Sequence, residues 1–125
     1  HYGITHILNC TKEIDLPKEV SKKLKSFKRI AIQDKNSETI MDYIHDSNTF
    51  IESALGEAAY NVVFVHCREG RSRSVSFLCA YLMWKEKLSF YAALSDIRTK
   101  RHIVLPNNKF YSELERFDKI LPLNR

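Results

Sequence analysis

The segment FVHCREGRSRS, residues 64–74, sets Cys67 and Arg73 with five residues between them, and Ser74 follows the arginine directly. Val62, Val63, Phe64 and Val65 are the apolar, mostly β-branched residues of a strand buried on both faces. From Arg73 onward the apolar spacing becomes helical. The cysteine is therefore expected at the exit of a strand and the arginine at the start of a helix, with a short loop containing Gly70 between them. Such a loop is an anion cradle with a nucleophile at its base. The chemistry it suits is phosphoryl transfer through a cysteinyl-phosphate.

Each loop residue has a physical task in that chemistry. A free cysteine has a pKa of about 8.5, and a helix N-terminus or a nearby cation lowers it. Cys67 precedes a helix start, and Arg68, Arg71 and Arg73 share its loop. Unpaired N–H groups at the helix start point toward an incoming phosphate. The phosphate-binding set is therefore Arg68, Glu69, Gly70, Arg71, Ser72 and Arg73. Gly70 lets the backbone curl so that successive N–H groups converge on one anion. Arg73 offers a planar fork for two phosphate oxygens. The Ser74 hydroxyl can donate to the Cys67 sulfur, stabilising the thiolate and later its departure. His66 is expected to order the loop through its ring nitrogens.

A leaving alcohol or phenol needs a proton, which a general acid within hydrogen-bond reach supplies. Asp34 is the candidate. It follows the apolar run KRIAIQ, read as a strand over Lys28–Gln33, and precedes a helical pattern. That places it at the carboxyl edge of the strands, where open α/β sheets collect ligands. Asp42 and Asp46 fall inside the helical pattern, and Glu38 stands as the other fallback.

At this level of detail HCREGRSRS resembles the Cys-x5-Arg-Ser signature of the protein tyrosine phosphatase superfamily. It is most similar to that of the small dual-specificity phosphatases, whose signature loop also runs into an apolar helix like VSFLCAYLM. GITHILN is similar to that family's early core strand, IQDKNSETI to its acid-bearing loop, and LPNNKFYSELERFD to its Pro-Asn turn and closing helix. The resemblance implies Cys67 as nucleophile, Arg73 as phosphate clamp, Asp34 as acid, Ser74 beside the sulfur, and Asn107 as a supporting residue. It implies no cofactor and no metal. It also implies that Cys10, ending the early strand, lies near the catalytic strand, where some relatives hold a resolving thiol; a buried thiol without a redox role is the alternative. The family has further strands before GITHILN, so residues 1–125 are expected to form a single catalytic domain that lacks them.

The elements that must position these residues follow from pattern. Ile4–Asn9, Lys28–Gln33 and Asn61–Val65 read as strands, and Pro17 marks a helix start. Ile40, Tyr43, Ile44, Ser47, Ile51, Ala54 and Leu55 recur at helical spacing. Further helices are expected over Arg73–Glu86, Ser89–Lys100 and Asn107–Ile120, with Ser89 and Pro106-Asn107 at the last two starts. Strands alternating with helices, then helices alone, give an α/β fold with a central, mostly parallel sheet flanked by helices.

Composition narrows the partners. With 44% hydrophobic residues in 125, the chain can bury a core. It contains no run of the roughly 20 apolar residues needed to span a bilayer. Three cysteines without framework spacing argue against a disulfide scaffold. A thiolate nucleophile suits a reducing compartment, so cytosol or nucleus is expected. The net charge of +5 favours anionic partners. One basic group is Lys18, Lys22, Lys23, Lys25, Lys28 and Arg29; another is Arg98, Lys100, Arg101 and His102. Aromatic residues do not interleave with them as on a single-strand platform, so nucleic acid is not expected.

The expected activity is that of a metal-independent, dual-specificity protein phosphatase acting on phosphotyrosine, phosphoserine and phosphothreonine in a phosphoprotein, with a signalling kinase as one candidate. The chain shows no added tyrosine-recognition segment, which favours a shallow cleft. Arg71 motivates an alternative, a phosphatase of acidic lipid headgroups, and Glu69 works against it. A phosphate-binding module without catalysis is a third reading, opposed by the joint presence of Cys67, Arg73, Ser74 and Asp34.

Overall fold

The computed structural model describes residues 3–122. Three short strands, β1 (His6–Asn9), β2 (Ser26–Arg29) and β3 (Val63–His66), form a sheet in the order β2-β1-β3. Both pairings are parallel, with Ile7 beside Phe27 on one side and Phe64 on the other. A one-turn helix, α1 (Lys18–Ser21), joins β1 to β2. The crossover from β2 to β3 is α2 (Met41–Glu57). After β3 come α3 (Arg73–Lys85), α4 (Phe90–Arg98) and α5 (Asn108–Ile120). All three strands run the same way, so their carboxyl ends share one edge, and the loops after β1, β2 and β3 meet there.

The core lies between the sheet and the long helices. Leu8, Ile30, Ile32, Phe77, Met83, Phe90 and Leu114 are buried there. Each such side chain removed from water contributes about 1.5–3 kcal/mol. The central helix is α3, which packs on α2, α4 and α5 and presents its N-terminus to the loop after β3. Ser89 and Asn107 cap α4 and α5 as the sequence predicts, each accepting from a backbone N–H three residues on.

Two expectations about the strands need correction. The second strand pairs over Ser26–Arg29 rather than Lys28–Gln33. Ile30 and Ile32 are apolar because the core takes them up after the pairing ends. The third strand is not buried on both faces: Phe64 is 46% exposed, and so is about half of Phe27 across the sheet. The helices that touch β1 and β3, α2 and α3, cover the opposite face.

A buried carboxylate couples α5 to the start of α2. Ile40 stands at the N-cap of α2 and supplies no side-chain cap. Glu113 of α5, 2% exposed, accepts the Ile40 N–H at 2.8 Å and the Thr39 hydroxyl as well. The segment Lys35–Ile40 therefore ends on a fixed point. Hydrogen bonds to a charged group contribute about 1.5–3 kcal/mol. Glu113→Ala is expected to lower stability by about that amount, read as a fall of several degrees in Tm by calorimetry. A Tm within one degree or so of the parent would mean that Thr39 and Ile40 find other partners.

Candidate active site

The loop after β3 closes over the N-terminus of α3, as a strand-loop-helix anion cradle requires. Gly70 adopts φ +67°, a left-handed conformation that a side chain disfavours. A Cβ there would also fall 3.1 Å from the Arg101 guanidinium. The cradle opens into a cleft of about 210 Å³ lined by Asp34, Cys67, Arg68, Glu69, Arg71, Ser72 and Arg73. The fold thus brings the acid candidate from the loop after β2 to the thiol after β3.

Cys67 sits at the base, buried to 9% exposure. Its sulfur lies 3.2 Å from Ser74 Oγ. Burial pushes the thiol up. The Ser74 hydroxyl, the backbone at Ser74 and Gly70, and the Arg73 charge outweigh burial and bring its pKa below the ordinary value. Of the three arginines expected to lower it, Arg73 does so; Arg68 and Arg71 are exposed at the rim. Arg71 Nε stands 3.9 Å from the Glu69 carboxylate. The His66 ring is held against the Cys67 backbone and stacks on Phe64 at 5.4 Å, and burial keeps it below its usual pKa.

Three hydrogen bonds from residues 101–107 clamp the loop. The Leu105 N–H donates to the Arg71 carbonyl at 2.7 Å. The Asn107 N–H donates to Ser72 Oγ at 2.9 Å. Arg101 donates from Nη2 to the Glu69 carbonyl at 3.0 Å. Ser72 is buried and its hydroxyl is committed to this clamp, so its contribution to the cleft is backbone rather than side chain.

Asn107 connects the two loops. Its Oδ1 accepts the Phe110 N–H at 2.9 Å, which fixes the orientation of the amide. Its Nδ2 donates to Asp34 Oδ1 at 2.9 Å. Asp42 and Asp46 lie exposed on α2 and do not line the cleft, and Glu38 offers its carbonyl to Lys109.

Cys10 directly follows β1, its N–H donating to the His66 carbonyl at 2.8 Å. It is fully buried. Burial first, and the neighbouring Cys67 charge second, push its thiol far above the ordinary range. Cys79 is core, as expected for a small residue on the apolar face of α3.

Sequence reasoning missed Glu13 and the placement of Arg101. The Glu13 carboxylate is bidentate to Arg73, Oε1 to Nη1 at 2.9 Å and Oε2 to Nη2 at 2.8 Å. The signal was faint: an acidic residue just after an early strand, hence at the same carboxyl edge as Cys67. The first basic group is not at the cleft as a whole. Lys25, for instance, binds Asn61 and Tyr60 near the strand starts, at the far edge of the sheet.

Among the described residues no cluster of three His, Cys, Asp or Glu could hold a metal ion, and no helix is long and apolar enough to cross a membrane.

The family profile described as "Dual specificity phosphatase, catalytic domain" matches residues 1–120. The tyrosine-protein phosphatase YVH1 of Saccharomyces cerevisiae is 33% identical over 95% of this chain, which spans 37% of that protein. Human dual specificity protein phosphatase 6 is 34% identical over 98% of this chain, which spans 32% of it. The crystal structure of the Yvh1 phosphatase domain from Chaetomium thermophilum superposes with a TM-score of 0.83 at 31% identity, covering 94% of this chain and 79% of that one. The match over nearly all of the sequence, on a parallel sheet with a strand-loop-helix anion cradle, establishes that this chain belongs to the dual specificity phosphatase catalytic-domain family, within the cysteine-dependent phosphatases.

Proposed function

We propose that this domain hydrolyses phosphotyrosine and phosphoserine or phosphothreonine monoesters of proteins through a cysteinyl-phosphate. The observation that carries this reading is the Cys67 thiol beside Ser74 in a cleft that Asp34 also lines. The thiolate attacks phosphorus. The loop N–H groups and Arg73 hold the phosphoryl oxygens as the centre becomes trigonal. Asp34 gives its proton to the leaving oxygen, so the alcohol or phenol departs neutral and Asp34 is left as carboxylate. In the second half Asp34 takes a proton from water, the water oxygen bonds to phosphorus, and the P–S bond breaks. The Ser74 hydroxyl then donates to the departing sulfur. Asp34 is protonated again, and phosphate leaves.

Protein substrates are favoured for two reasons. The relatives named above are protein phosphatases by their names. The Glu69 carboxylate beside Arg71 also offsets the rim charge that a polyanionic headgroup would need. The three free, buried cysteines suit a reducing compartment such as cytosol or nucleus.

The test is turnover measured in parallel on a phosphotyrosine peptide, a phosphothreonine peptide and phosphoinositide headgroups. Both peptides are expected to have the higher kcat/KM. A clear preference for the headgroups would transfer the assignment to the lipid-phosphatase reading. Tight binding without turnover of any of them would leave a phosphate-binding module.

A further inference from the structure

Glu113 ties α5 to Ile40, the residue before α2. Beside this anchor lies a groove of about 310 Å³. Its walls follow from helical spacing. Met41, Ile44 and Asn48 recur on one face of α2. Phe117 of α5 and Leu121 at its C-cap stand about one and two turns on from Glu113. Trp84, near the end of α3, lines the groove as well.

Asn48 sets one polar group among these apolar walls. It is 5% exposed, and among the described residues nothing donates to its Oδ1. Buried acceptors are almost always paired, and an unmet one in an apolar setting is unfavourable. No hydrogen bond holds this oxygen in place. A turn of the terminal amide about its broad χ2 well presents it to the groove.

The lining also states what kind of molecule fits. Among the described residues that line it none is Asp, Glu, Lys or Arg, and His45 is the one titratable group. The occupant is therefore uncharged, unlike the anion that the Cys67 cleft accepts. Trp84 and Phe117, with the Met41 thioether, suit a planar ring. The Trp84 ring is itself held edge-on against Tyr81 at 6.2 Å, and the Tyr81 hydroxyl donates to Glu52. The volume is at the low end of the range for small-molecule sites, so one small ring system fills it.

We propose that this groove is a binding site for a small, neutral aromatic molecule carrying an N–H donor, with Asn48 Oδ1 as the acceptor that selects the donor. The site shares no lining residue with the Cys67 cleft, and the proposal does not depend on the chemistry assigned there.

Trp84 is the single tryptophan of the chain, so its fluorescence reports on the groove. The protein is titrated with N-methylbenzamide, a planar aromatic with one N–H, and with methyl benzoate, which has the same shape and an ester oxygen in place of that N–H. The amide is expected to give a saturable change in Trp84 emission with a Kd of about 1 mM. The ester should bind about fivefold more weakly or worse. Asn48→Leu replaces the unpaired amide with an apolar group of similar size, and should melt no lower than the parent. In that variant the two probes should bind alike. Inorganic phosphate, bound in the Cys67 cleft, should not displace the amide. The proposal is overturned by a linear, unsaturable response, by equal affinity of the parent for the two probes, or by an amide preference that survives Asn48→Leu. Displacement of the amide by phosphate overturns it, as does a marked fall in Tm for Asn48→Leu, which would show that the amide is already partnered. Self-association of the free protein that Asn48→Leu abolishes would assign the groove to a second copy of this chain, and would overturn it too.

Discussion

Cys67→Ser is expected to abolish turnover, by on the order of 10⁴-fold or more, while phosphopeptide binding survives. A serine hydroxyl has almost none of the anionic form at neutral pH. None of the devices that lower the Cys67 pKa could bring an alcohol into range. Binding has other sources: the loop N–H groups, Gly70 in its left-handed turn and Arg73 all remain. Removing the thiolate also removes a negative charge from a cleft that must accept a dianion, so affinity should be equal to the parent's or higher. Titration of the variant with a phosphotyrosine peptide checks this, and measurable steady-state turnover would sink the mechanism. The thiolate itself can be read in the parent by the pH dependence of inactivation by iodoacetate. Because the Cys67 pKa lies below the ordinary value, inactivation should reach its plateau at a lower pH than for a free thiol, and Ser74→Ala should move that profile upward. The other thiols will not confuse the reading. Both are buried, burial raises Cys79 to about 12, and Cys10 is pushed further still.

The legibility of this site in the sequence follows chain distance. Cys67, Gly70, Arg73 and Ser74 belong to one local turn, so their types and spacing were enough to predict the cradle. Ser89 and Asn107 were likewise readable, because a cap bonds to a backbone only three residues away. Glu13 was not. It meets Arg73 across a separation of 60 residues, and no local pattern distinguishes it from any other acidic residue on a loop. The same holds for Arg101 on the Glu69 carbonyl and for Glu113 on Ile40. The misplaced second strand has a related cause. Its paired residues, Ser26–Arg29, are exposed or half-buried at an edge, whereas the apolar residues that caught attention, Ile30 and Ile32, are buried only by tertiary packing beyond the pairing.

Asp34→Asn is expected to slow catalysis according to how badly the leaving group needs a proton. A serine or threonine alkoxide needs it most, a tyrosine phenolate less, and an activated nitrophenolate least. Positioned general acids contribute about 10²–10⁴-fold, so phosphothreonine peptide turnover should fall by that factor and nitrophenyl phosphate turnover by far less. The structure gives the acid a defined geometry. Asn107 can offer only its Nδ2 to Asp34, because its Oδ1 is held by the Phe110 N–H. Asp34 Oδ1 is therefore an acceptor, and the transferable proton must reside on Oδ2. Asn107→Ala should then produce the same leaving-group pattern in weaker form, together with a stability loss of about 1 kcal/mol from uncapping α5. An equal, small loss on all three substrates would reduce Asp34 to a loop residue held by Asn107. The acid would then have to come from Glu38 or Asp42, neither of which lines the cleft in this structure.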